Sequence, residues 1–122
     1  MAEYQVVFFE KENRDVPAEE FINSLDVKMS AKIYRLLMLI SQNGPELREP
    51  YSKHLDDGIF ELRAKVGSNI TRVLYFFFIG RRVIVTNGFV KNTQKTPKAE
   101  IDKAKTYREE YKKREELNNE NA

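Results

Sequence analysis

The apolar positions of this 122-residue chain change period several times, and each change predicts an element. Tyr4 to Glu10 is dense in β-branched and aromatic residues and reads as a first strand. Asp15 offers an N-cap, and Pro17, Glu19 and Glu20 suit the first turn of a short helix running to about Asp26. Met29, Ile33, Leu36, Leu37 and Ile40 recur at helical spacing and predict a longer second helix, stopped by Gly44-Pro45. Residues from Pro45 to Asp57 read as a loop carrying Lys53 and His54. Three strands follow: Ile59 to Lys65 alternates, Ile70 to Ile79 is apolar but for one charge, and Val83 to Phe89 is β-branched. Their connections, Val66-Gly67-Ser68-Asn69 and Gly80-Arg81, are hairpin turns, the second with glycine first as a type II′ turn asks. Thr96 and Pro97 open a last helix with a thin apolar stripe of Ile101, Ala104 and Tyr111. Residues 115–122, with Leu117 as their one large apolar side chain, read as a disordered tail, leaving residues 1–114 as a single domain. The order β-α-α-β-β-β-α predicts the α+β class, with a helical hairpin packed on an antiparallel four-stranded sheet.

The turns also fix a register. A hairpin centred on Gly67-Ser68 sets Arg63 opposite Arg72, and one centred on Gly80-Arg81 sets Arg72 opposite Phe89. Directly paired residues share a face, so these three form one row, with Lys91 on the same side two residues beyond Phe89. Two facing arginines repel unless an anion lies between them. Either an external phosphate supplies it, held by the guanidinium forks, or Glu61 and the acids at Asp56-Asp57 neutralise the pair.

Charge distribution sharpens this picture. The net charge is only +2, but residues 1–62 carry 7 basic against 12 acidic side chains, whereas residues 63–98 carry 8 basic and no acidic ones. A block without a carboxylate is suited to an anionic partner, and Phe89 beside it to stacking on a base. The polar loop from Lys91 through Asn92, Thr93, Gln94 and Lys95 to Thr96 leads into a helix N-terminus, which also favours phosphate. His54, the only histidine, is a candidate for proton transfer. The absence of cysteine excludes disulfides, thiol catalysis and zinc–thiolate sites, and one histidine excludes a multi-histidine metal centre, so no metal or cofactor is expected. The longest apolar run, the seven residues Val73 to Ile79, is too short to span a bilayer, and no secretory signal is visible, so a cytoplasmic location is expected.

Three segments carry a family resemblance: Ser52 to Arg63 (SKHLDDGIFELR), Ile70 to Phe78 (ITRVLYFFF) and Asn87 to Pro97 (NGFVKNTQKTP). In order, with the leading strand and helical hairpin, they resemble the HigB-like branch of the RelE/ParE toxin superfamily of type II toxin–antitoxin systems, over roughly residues 4–111. The resemblance implies a RelE-like fold and a ribosome-dependent endoribonuclease, an mRNA interferase that inhibits translation. It implies silencing by a helix-turn-helix, HigA-like antitoxin. It assigns phosphate contacts to Arg63 and Arg72, electrostatic or proton-transfer roles to Lys91 and Lys95, and RNA contact or catalysis to Lys53 and His54. Such cleavage proceeds by attack of a ribose 2′-OH on the adjacent phosphate and needs no metal. Some superfamily nucleases place a tyrosine or histidine near the C-terminal end; here the last strand ends Asn87-Gly88-Phe89-Val90. ParE-type members share the fold but bind DNA gyrase, and a non-catalytic RNA-binding module would use the same basic face. On the nuclease reading Arg72→Ala is expected to abolish growth arrest while the protein still folds. An acidic or apolar antitoxin segment is expected on the helical hairpin or the basic face.

Overall fold

A computed structural model describes residues 3–91 and 95–120. The elements are β1 (Gln5–Phe8), α1 (Pro17–Asn23), α2 (Val27–Asn43), β2 (Ser52–Asp56), β3 (Ile59–Val66), β4 (Asn69–Phe78), β5 (Arg82–Val90) and α3 (Lys98–Glu120), with a 3₁₀ turn at Gly44–Glu46 after α2. The α+β class holds, but the sheet has five strands in the order β1-β5-β4-β3-β2, and β1 runs parallel to β5. The expected four antiparallel strands are therefore corrected twice. First, β2 forms where a loop was expected, because Asp57-Gly58 turns the chain back on itself with positive φ at both residues (48° and 79°). Second, the helical hairpin carries the chain from β1 across to the far edge of the sheet, so the later strands fold back until β5 lies alongside β1.

The α1–α2 hairpin covers one face of the sheet. Ile22, Met29, Ile33, Leu36, Leu37 and Ile40 meet Leu62, Ala64, Val73, Tyr75, Val83 and Val85 there. α3 crosses the other face, where Ala104 and Tyr111 meet Phe9, Ile59, Leu74, Phe76 and Ile84. Asp15 does not cap α1: Val16 occupies that position, and its N–H donates to Glu20 Oε2 at 2.7 Å. Asp26 caps α2, accepting from the Met29 N–H at 2.9 Å. The expected disordered tail is helical as far as Glu120, its start held by Arg82, which donates to Glu115 Oε1 at 2.6 Å and to the Tyr111 hydroxyl at 2.8 Å. No helix among the described residues is long and apolar enough to cross a membrane.

Gly44 ends α2 with φ +56° and ψ −136°, a conformation essentially reserved for glycine. A Cβ there would stand 2.3 Å from the Tyr4 ring, which packs edge-on against Phe77. Gly44→Ala is expected to cost about 1–3 kcal/mol from the backbone strain alone, read as a lowered midpoint in thermal or urea unfolding.

Candidate functional site

The register derived from the turns is the one observed: Arg63 pairs with Arg72, and Arg72 with Phe89. The second hairpin reaches it by a different route. Phe78 pairs with Arg82, one residue off the expected phase, and φ is positive at both Gly80 and Arg81, where a II′ turn needs it only at the first. A bulge then restores the phase, because Leu74 pairs with Asn87 and Tyr75 with Val85, leaving Thr86 as the extra residue.

β3 therefore presents Glu61, Arg63 and Lys65 on the α3 side of the sheet, beyond the part that α3 covers, while Leu62 and Ala64 point into the helical-hairpin core. Lys53 pairs with Glu61 and joins this face; Lys91 follows β5, with its N–H donating to the Ile70 carbonyl at 2.9 Å. Lys32, Lys53, Arg63, Lys65, Arg72 and Lys91 line one cleft of about 520 Å³ together with Tyr51, Pro50 and Ile70, and among the described residues no carboxylate lines it.

The anion between the two arginines is internal. Glu61 is fully buried and accepts from Arg72 Nη1 (2.7 Å to Oε2, 3.0 Å to Oε1), Arg63 Nε (2.9 Å) and the Thr96 hydroxyl (2.5 Å). Arg72 is 3% exposed, its Nη1 also donates to Thr96 Oγ1 at 3.0 Å, and its buried Nε has no partner among the described residues. The pair expected to clamp a phosphate thus already holds an internal carboxylate: the Arg72 guanidinium lies at the cleft floor, bonded to Glu61. Arg63 is the more accessible of the two, with its side chain 29% exposed. The Thr96 hydroxyl, expected as a helix cap, instead joins the entry of α3 to Glu61.

Lys91 stands in the field of this cluster. Its ammonium is drawn below the usual lysine range, first by partial removal from water, then by the Arg72 and Arg63 guanidiniums; Lys53 adds to the shift and Glu61 opposes it. Lys95 is exposed ahead of α3 and does not line the cleft. The Asn92, Thr93 and Gln94 part of the expected phosphate loop lies outside the described residues. Phe89 shares the face but packs, half-buried, against the apolar cluster under α3, so it forms no wall of the cleft.

His54 is not brought to this site. It pairs with Phe60 and so points to the opposite side of the sheet from Lys53; its ring meets Phe60 edge-on, and its Nε2 accepts from the Gly58 N–H at 3.1 Å. Tyr75 is no substitute, because its hydroxyl is buried against that of Ser52 on the hairpin side and burial pushes its pKa up to about 12. The structure adds Lys65, Tyr51 and Lys32 to the cleft. Lys65 was readable from the alternation on its strand. Tyr51 is fixed beside Arg63, whose N–H donates to the Tyr51 carbonyl at 2.9 Å, and Lys32 arrives from α2; no local pattern announces either.

None of the curated proteins matches the chain. The family described as Phage derived protein Gp49-like (DUF891) matches residues 20–109, which include the helical hairpin apart from the start of α1, the cleft residues named above and about half of α3. The chain therefore belongs to the Gp49-like family of phage-derived proteins, a RelE-type toxin-like family of toxin–antitoxin systems.

Proposed function

We propose that the protein is the toxin of a type II pair that cleaves messenger RNA on the ribosome, and that a helix-turn-helix antitoxin silences it. The observation that carries this reading is the cleft whose lining, among the described residues, holds six cationic side chains and no carboxylate. Such a surface attracts a polyanion, and its aromatic, Tyr51, stands where a splayed base can stack. Arg63 contacts the scissile phosphate and stabilises the charge that develops on it. The Glu61–Arg72 pair beneath carries no net charge and anchors Arg63 through its Nε. Lys32 and Lys65 hold flanking phosphates.

Lys91 accepts the 2′-OH proton as a neutral amine as the 2′ oxygen attacks phosphorus. The 5′ oxygen leaves with a proton from a neighbouring ammonium, Lys53 on the same face. The products are a 2′,3′-cyclic phosphate and a 5′-OH. Because the working form of Lys91 is deprotonated, cleavage rises with pH through its depressed titration.

Primer extension on messenger RNA after induced expression tests the reading. The wild type yields discrete new 5′ ends. Lys91→Arg, which keeps the charge and holds its proton, lowers their rate of appearance by about 10²–10⁴ with RNA binding retained. A DNA-damage response without new 5′ ends would replace the nuclease by a gyrase-directed toxin.

A further inference from the structure

α2 carries two apolar faces, where a helix lying on a sheet requires one. Met29, Ile33, Leu36, Leu37 and Ile40 form the buried face. A second row, Val27, Ala31, Tyr34 and Met38, is spaced by four, three and four residues and points outward, with Val27 84%, Tyr34 38% and Met38 63% exposed. This 4-3-4 spacing is that of a seam shared by two packed helices. On one side the row runs into a groove of about 420 Å³ where Val6 and Phe8 of the edge strand β1 approach Tyr34, Leu37 and Met38. On the other side, Lys28, Lys32 and Arg35 follow one another four and three residues apart, and α2 contains no acidic residue.

We propose that this face docks an amphipathic helix of the antitoxin, apolar along the seam and acidic along the flank that meets Lys28, Lys32 and Arg35. Charge selects the occupant. A second copy packed seam to seam would bring another acid-free α2, with its own three cations, to the interface, whereas a row of carboxylates complements them. The apolar row and groove supply the contact area that such a helix buries. Lys32 belongs to both surfaces, so a carboxylate drawn to it also weakens the positive field of the cleft. The inference rests on membership of a toxin–antitoxin family and is independent of whether the cleft cuts RNA.

The test is titration calorimetry of the full chain with its cognate antitoxin, identified by co-purification and rescue of growth, in the absence of RNA. Met38→Asp is expected to weaken binding by at least about tenfold, as loss of an anchor at a seam does. Lys28→Glu with Arg35→Glu is expected to weaken it by about tenfold at low salt and by less as salt rises. Lys91→Glu, in the cleft, leaves the affinity unchanged, and thermal melts confirm that each variant is folded. Wild-type affinity in both seam variants, no complex at all, loss of binding in Lys91→Glu, or self-association of the chain that Met38→Asp abolishes would each overturn the proposal.

Discussion

Replacing Arg72 by alanine is expected to destabilise the fold by about 3–5 kcal/mol, the scale for removing one member of a buried ion pair. Glu61 has no contact with water, and Arg72 supplies its two bonds of 2.7 and 3.0 Å. Without Arg72 the carboxylate keeps, among the described residues, Arg63 and Thr96, and a cavity opens at the cleft floor. Urea unfolding of Arg72→Ala beside the double variant Glu61→Gln, Arg72→Met tests the cause. The double variant removes both charges at similar volume and should recover much of the loss, since it strands no charge. Equal losses in the two would mean that packing, not the pair, holds the site. The expectation that Arg72→Ala folds normally and only loses toxicity is therefore replaced, and loss of growth arrest in that variant would say nothing about catalysis.

Arg63→Ala is the informative change for the chemistry. Arg63 reaches Glu61 through Nε, and its side chain is 29% exposed at the cleft wall, so its loss leaves Glu61 paired with Arg72 and Thr96. On the proposed mechanism, cleavage is expected to fall by about 10²–10³ while the unfolding midpoint stays close to that of the wild type. Single-turnover cleavage of a translated message, read beside a thermal melt, separates the two effects. A cleavage rate close to wild type would remove Arg63 from the reaction.

The row Arg63–Arg72–Phe89 was legible because turn residues count the register and pairing decides the face. In β5 two departures from regular pairing cancel: the second hairpin is offset by one residue, and the bulge at Thr86 takes the offset back. Nothing local in Val83–Phe89 marks the bulge. The strand β2 was present in the sequence as Asp57-Gly58, a strong two-residue turn signal, but its polar content disguised Ser52–Asp56 as loop. That disguise also hid the consequence for His54, because neighbours on a strand face opposite ways, and Lys53 and His54 cannot both serve one site. Glu61 was visible as a potential partner for the arginines; that it is fully buried and also holds Thr96 depends on where α3 begins, which is a tertiary fact. Lys32 reaches the cleft only because α2 lies over the sheet end, beyond any periodicity argument.

The bulge at Thr86 also governs how the chain length of this strand can change. Loss of Thr86 itself would straighten β5 and leave Asn87, Phe89 and Lys91 on the face they now occupy, because Thr86 is the unpaired residue. Gain or loss of one residue elsewhere in the paired part of β5, with the bulge unchanged, would reverse the parity of everything beyond it and carry Lys91 over to the helical hairpin. When relatives of unequal length are aligned, a single-residue gap therefore belongs at Thr86, since a gap placed at the Gly80-Arg81 turn would misassign which side of the sheet each later side chain occupies.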